Sequence, residues 1–258
     1  DRPCTRPRTN AWKIGTARDG TALRSRSVVI RRPGRSANLP AVVVRRSTRR
    51  RKPTRLLFVT GGSGYLGRHI VASRTTERWE IIAPGSRGLD LRNPTSVRTA
   101  IRDWNPTAII HTAYRLNDRS SIVDATQHVA EAAEACRARL VHVSTDVVFR
   151  GSTSQYTEHD TPHPITDYGR HKSDAEYAVA STCPGAVIVR TSLLVGGRTL
   201  SSHEIAVHEA IEARSPMTFF TDEIRCPVLV GDLAASLVEL AERPDITGVL
   251  HLAGPDAM

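Results

Sequence analysis

The run from Leu56 to Val71, LLFVTGGSGYLGRHIV, constrains this chain more than any other stretch. A short, β-rich apolar segment of this kind suits a central parallel strand buried on both faces. It runs straight into Gly61, Gly64 and Gly67, spaced G-x-x-G-x-x-G, and then into a helical pattern beginning near Tyr65. Each glycine has a physical reason. The first permits a tight turn, the second lets backbone approach a pyrophosphate, and the third lets helix pack closely on strand. A helix starting there would aim its unpaired N–H groups and positive dipole end at phosphate. Glycines alone would suit a turn in any α/β protein. The strand before and the helix after make the spacing a dinucleotide signature.

Charge divides the chain. Residues 1–55 hold 17 Lys and Arg against 2 Asp and Glu, whereas the remainder holds 19 against 24. The high pI therefore describes the N-terminal tail, and the rest is mildly acidic, which argues against nucleic acid as a partner except through that tail. Residues 1–54 are rich in Arg, Ser, Thr and Pro, with Val28–Ile30 and Ala41–Val44 as apolar islands. Such a segment buries too little to offset its ordering entropy, so a disordered basic tail is expected. Three readings of it stay open: an arm for nucleic acid or an acidic surface, centred on Arg45, Arg46, Arg49, Arg50, Arg51 and Lys52; an organelle-targeting peptide; or a segment outside the working protein. Cys4, Cys136, Cys183 and Cys226 lie far apart with no C-x-x-C, which fits neither a zinc site nor a disulfide framework and points to a reducing cytoplasm. No run has membrane-spanning length, and no secretory apolar core is present near the start.

After the glycine turn the pattern predicts strands at Trp79–Ala83, Ala108–His111, Leu140–Val143, Ala186–Arg190 and Val249–Leu252. Helices are predicted from Asn93-Pro94 to Trp104, over Ile122–Arg137, from Asp167, over Glu204–Arg214 and from Gly231, with a short strand at Met217–Thr221. An acid that would hold a ribose 2′-hydroxyl is expected at the end of the second strand. The chain has Ala83-Pro84-Gly85-Ser86-Arg87 there, so Ser86 and Arg87 favour a 2′-phosphate, NADP(H) over NAD(H). Ser144-Thr145-Asp146 leaves the carboxyl end of a strand, where doubly wound sheets bind ligands. Tyr168 and Lys172 are four apart at a helix start and share a face.

These motifs, with Val147-Val148-Phe149-Arg150-Gly151, Arg190-Thr191-Ser192, and Pro227 followed by Asp232-Leu233-Ala234, resemble the RmlD-type sugar-nucleotide reductases, the group that contains dTDP-4-dehydrorhamnose reductase, within the extended short-chain dehydrogenase/reductase superfamily. The resemblance implies an α/β fold with a doubly wound parallel (Rossmann) sheet. An NAD(P)-binding domain would cover 55–190 and a small substrate lobe 191–258, with interleaved boundaries. It implies NAD(P)H-dependent reduction of a 4-keto nucleotide sugar, with epimerisation, dehydration or a non-catalytic dinucleotide-binding regulatory subunit as alternatives, and a possible homodimer. Thr145, Tyr168 and Lys172 would be catalytic. Tyr168 would give its proton to the forming alkoxide, Lys172 would lower its pKa and hold the nicotinamide ribose, and Thr145 would hydrogen-bond the substrate oxygen. Gly61, Ser63, Gly64, Tyr65, Leu66 and Gly67 would surround the pyrophosphate, with Thr112, Ala113 and Tyr114 against it, and Asp90 and Leu91 would meet the adenine. Phe149 and Arg225 would contact substrate, Arg225 through a diphosphate; no metal is implied. The chain departs from the family at Ile122, where an Asn is usual, and at Asp222-Glu223 and Arg225, where Asp-Gln and a Gly are usual. It stops at Met258, where the family continues into further helix, so a shortened lobe is expected.

Overall fold

The computed structural model describes residues 29–30, 43–45, 55–153 and 155–258. The leading strand, β3 (Leu56–Thr60), sits mid-sheet, and Leu57 to Thr60 are all buried. Two short strands, β1 (Val29–Ile30) and β2 (Val43–Arg45), precede it. The remaining strands are β4 (Glu80–Ala83), β5 (Ala108–His111), β6 (Arg139–Thr145), β7 (Val187–Thr191), β8 (Leu194–Val195), β9 (Val228–Leu229) and β10 (Gly248–Leu252). The large sheet has the order β1-β2-β4-β3-β5-β6-β7-β10. Pairing is parallel from β4 through β10 and antiparallel at β1–β2 and β2–β4. The chain steps from β3 to β4 on one side and then to β5 on the other. The strand order therefore reverses beside β3, which opens a crevice at the carboxyl ends of β3 and β5.

The helices are α1 (Tyr65–Ala72), α2 (Pro94–Trp104), α3 (Ala125–Ala135), α4 (Asp167–Thr182), α5 (Ser202–Glu212) and α6 (Val230–Glu242). Alternation along β3 sends Phe58 to one face and Leu57 and Val59 to the other. Phe58 packs in a cluster with Val97 and Ile101 of α2, Val129 of α3 and Val179 of α4. Leu57 and Val59 pack with Ile70 of α1 and with Leu233 and Leu237 of α6. Local chemistry sets the helix ends. Asn93 Oδ1 accepts from Ser96 N at 3.0 Å with Pro94 at the first helical position, and Asn105 closes α2 in the left-handed region at φ 45°. Thr166 Oγ1 likewise accepts from Gly169 N at 3.0 Å to open α4.

Several expectations change. The two apolar islands of the basic tail contribute β1 and β2, which extend the sheet edge through Val43↔Ala83 pairing, so those five residues are not unstructured. The rest of residues 1–54, including the densest arginine cluster from Arg46 onward, lies outside the described residues. The predicted helix start at Ile122 is a π turn over Ser120–Asp124, with α3 proper beginning at Ala125. Met217–Thr221 forms no strand. The second, two-stranded sheet instead pairs Leu194–Val195 with Val228–Leu229, residues too few to show a period. Of the expected 191–258 lobe, α6 packs in the main-sheet cluster and β10 pairs with β7, so both belong to the main sheet.

Candidate active site

The glycine turn works by close approach. Gly61 has φ 69°, and a Cβ there would sit 2.7 Å from Thr112 Oγ1 and 2.9 Å from Ala113 N. A Cβ on Gly67 would overlap the Gly61 carbonyl, so α1 reaches the turn only because that side chain is missing. Gly64 differs. A Cβ there would meet only Gly61 O, at 3.2 Å, and otherwise point into open space. That open space is the floor of a cavity of about 910 Å³, within the range of small-molecule sites. The glycines thus form a cradle that a phosphate can approach, and a nicotinamide dinucleotide fits the residues present.

The cavity runs from the glycine turn across the crevice to the lobe. Gly61, Ser63, Gly64, Tyr65, Leu66 and Gly67 line it, together with Ser86, Asp90 and Leu91 and with Thr112, Ala113 and Tyr114. Thr145, Tyr168 and Lys172 lie together on its wall with Arg225. Arg87 is exposed outside the wall. Phe149 does not reach the cavity. Its ring is buried, stacked on Tyr156 at 4.2 Å with Arg190 over it at 4.9 Å, so it supports the β6 turn from behind. Asp90 is on the wall, but Arg92 Nε and Nη2 each donate to its carboxylate at 2.9 Å. Those hydrogen bonds pull its pKa to about 2. The Thr112 hydroxyl donates to Thr60 O at 2.8 Å, clipping the end of β5 to β3.

The Thr145, Tyr168 and Lys172 group departs from the expected electrostatics. Lys172 is buried and donates to Val143 O at 2.6 Å, and its ammonium lies 5.8 Å from the Tyr114 ring centre. Burial pushes its pKa down to about 8, against the raising influence of Glu176. Tyr168 packs 5.7 Å from Tyr114, ring centre to ring centre. Burial first, then Tyr114 and the Asp146 carboxylate, hold the Tyr168 phenol well above its usual range, and Arg225 pulls the other way. Lys172 is therefore not the group acting on the phenol here, because its ammonium faces the β6 backbone and the Tyr114 ring. Ile122, at the family's Asn position, is buried with Val123 and Ala175 against Tyr168, so that side of the phenol is apolar. Thr145 Oγ1 accepts from Val147 N at 3.2 Å and donates to Asp146 Oδ1 at 3.2 Å.

Gly169 explains how Tyr168 arrives. A Cβ there would collide with Val147 O, so α4 rests directly on the turn after Thr145. Arg225 also departs from expectation. Its Nη2 donates to Asp146 Oδ1 at 2.6 Å, its Nε to Asp146 Oδ2 at 2.9 Å and its Nη1 to Glu223 at 3.0 Å. The guanidinium is committed to carboxylates rather than free for a diphosphate. Sequence reasoning missed Arg92 and Ser192 as residues lining the cavity. Of the described residues, no cluster of His, Cys, Asp or Glu could hold a metal, and no helix is long and apolar enough to cross a membrane.

Residues 54–258 match the family model described as RmlD substrate binding domain. A probable dTDP-4,6-dihydroxy-2-methyloxan-3-one 4-ketoreductase of Streptomyces antibioticus is 31% identical over 75% of this chain and 70% of its own. The methionine adenosyltransferase 2 subunit beta of Xenopus laevis is 30% identical over 80% of this chain and 69% of its own. The crystal structure of dTDP-4-dehydrorhamnose reductase from Bacillus anthracis str. Ames in complex with NADP superposes with TM-score 0.72 at 26% identity, covering 79% of this chain and 75% of that one. The glycine cradle at the sheet's reversal point and the Thr145, Tyr168 and Lys172 wall fit that match, and the chain belongs to the RmlD family of extended short-chain dehydrogenases/reductases.

Proposed function

We propose that this chain is an NAD(P)H-dependent reductase of a 4-keto nucleotide sugar. The observation that carries the reading is that Thr145, at the end of β6, and Tyr168 and Lys172, on α4, line the same cavity as the glycine cradle. A structural role for each residue alone would not bring all three to one cavity. The related ketoreductase and dehydrorhamnose reductase act on sugars of this class and supply the substrate class.

The bound dihydronicotinamide supplies the hydride for the carbonyl carbon. Tyr168 donates its proton to the oxygen as it becomes an alkoxide, an acid step worth about 10²–10⁴ in rate. A phenol held neutral by burial is the acid that reduction requires. Thr145 lines the same cavity, and its hydroxyl, turned from Asp146 Oδ1, would donate to that oxygen where charge develops. Lys172, one turn along α4, would turn its ammonium from Val143 O to hold a ribose hydroxyl. NADP(H) is preferred over NAD(H). Ser86, just past the end of β4, lines the cavity, and the segment from Pro84 to Gly88 carries no carboxylate.

The test is NADPH and NADH oxidation with a panel of 4-keto nucleotide sugars, repeated with Tyr168→Phe. Turnover that falls at least about 100-fold in the variant, with NADPH binding kept, is expected. Undiminished turnover would remove Tyr168 as the acid. Tight NADPH binding without turnover on any sugar would make the chain a dinucleotide-binding subunit instead.

A further inference from the structure

The strand that leads into the glycine turn is tied to the helix layer through a buried histidine that the proposed mechanism does not use. His111 closes β5, in register with Thr60 at the end of β3. Thr60 Oγ1 lies 2.7 Å from His111 Nδ1, and Thr126 Oγ1, in the first turn of α3, lies 3.0 Å from His111 Nε2. All three residues are at most 2% exposed, so bulk water does not compete for these contacts. The His142 ring stacks on His111 at 5.4 Å, yet among the described residues neither of its nitrogens has a hydrogen-bond partner. Of this pair, only His111 is bonded on both sides.

The direction of each hydrogen bond follows from counting hydrogens. Ile122 O can only accept, so the Thr126 hydroxyl gives its one hydrogen there, at 2.5 Å. Thr126 Oγ1 therefore accepts from His111 Nε2–H. Burial first and the Lys172 ammonium second keep the ring neutral, with a pKa of about 3. A neutral ring with its hydrogen on Nε2 has a bare Nδ1, which accepts from the Thr60 hydroxyl. Thr60 Oγ1 in turn accepts from Thr112 N at 3.2 Å, and Thr112 Oγ1 donates to Thr60 O at 2.8 Å. The chain runs one way, from Thr112 N–H through Thr60, His111 and Thr126 to Ile122 O. The other tautomer would leave no hydrogen between Nε2 and Thr126. At the near end, Thr60 and Thr112 line the cavity, and a Cβ on Gly61 would sit 2.7 Å from Thr112 Oγ1. At the far end, Ile122 belongs to the π turn and packs with Tyr168, and Thr126 is not part of the cavity lining.

We infer that His111, in its Nε2–H tautomer, is a positioning residue for the cofactor: it clamps the carboxyl end of β3 to α3 and so holds Thr60, Thr112 and Gly61 in the geometry of the cradle. Cutting any link leaves a buried donor or acceptor without a partner, a cost that the strand ends relieve by shifting. This assignment rests on the reductase reading for its effect on NADPH and on geometry for its tautomer.

Two measurements test it. The first needs no ligand. Side-chain nitrogen NMR of the whole protein at neutral pH, with the His111 signals identified by their loss in His111→Phe, should show a neutral ring carrying its proton on Nε2. A proton on Nδ1, or a charged ring, would overturn the assignment. The second is NADPH affinity, read by fluorescence titration beside a thermal melt. Thr126→Val removes the far acceptor without altering the cavity lining. It is expected to raise the NADPH Kd about fivefold or more, whereas Thr126→Ser, which keeps the hydroxyl, stays within about twofold of native. In a His111→Phe background Thr126→Val should raise Kd no further, because the link is already cut. Variants that melt earlier yet bind NADPH as the native protein does would make His111 a core residue only and overturn the inference. Losses that multiply independently in the double variant would do the same. A native protein that binds no NADPH would fail the reductase reading and the cofactor role with it, while the tautomer would still decide whether the hydrogen-bond chain exists.

Discussion

The cofactor half of this molecule and its lobe are built on opposite principles. Around β3 and β4, Trp79, Phe58, Ile81 and Ile82 are buried to within 1% exposure, and helices cover both faces of the sheet. In the lobe, α5 buries no residue, and Phe219, Phe220, Ile211 and Ile224 are each at least 65% exposed. What orders the lobe is polar and local. Ser201 and Glu204 form a capping box that also holds Gly196 N at 3.1 Å, and the Tyr65 hydroxyl donates to Gly196 O to tie the lobe to the glycine helix. The cradle is made rigid by packing, whereas the lobe is positioned by a few hydrogen bonds and by the Asp146–Arg225 pair. Regions with few buried apolar contacts open at low free energy, which suits the part that must admit substrate.

The contrast can be broken by mutation. Trp79→Ala should cost about 3–5 kcal/mol in urea unfolding, the usual penalty for removing a buried indole. A smaller cost would mean that the framework is not the stable half. Acid should act next, and on the framework. Burial holds His111 at about 3 and His142 well below its usual value. The unfolded chain binds protons at both below about pH 6.5 and the folded one does not, so stability present above 6.5 is lost as pH falls. From pH 6.5 to 5.5 the loss is about 1.0 kcal/mol for each histidine. A urea midpoint that stays flat over that interval would refute neutral burial of the pair.

Gly67→Ala should cost about 1–3 kcal/mol through overpacking and weaken NADPH binding, while Gly231→Ala, where a Cβ meets nothing within 4 Å, should leave NADPH binding unchanged. Equal NADPH affinities in the two variants would remove the close-approach argument. The smallest effect belongs to the lobe. Phe220→Ser should change stability by no more than about 0.5 kcal/mol, as surface substitutions do. A larger loss would show that the exposed aromatic face is covered in the working protein.

Legibility in the sequence follows the same divide. The glycine turn, the parallel strands and the Tyr168–Lys172 pair each rest on periods or spacings within a few residues, so they could be read directly. Gly169 could not be interpreted, because its role depends on Val147 O across the cavity wall. Phe149 was misplaced for a similar reason. Its ring turns from the cavity into a stack with Tyr156, a contact no spacing announces. The pairing of β8 with β9 and the addition of β2 to β4 also join segments distant in sequence, with too few residues to carry a pattern.

By itself the sequence determined the Rossmann framework and the residue types for hydride chemistry, because backbone sterics at glycine and helical spacing are local physics. Only the tertiary structure decided their electrostatics. Lys172 is turned to Val143 O, burial and Tyr114 hold the phenol neutral, and Arg225 is paired with Asp146. Charge interactions depend on distance and burial in space, and neither is written along the chain.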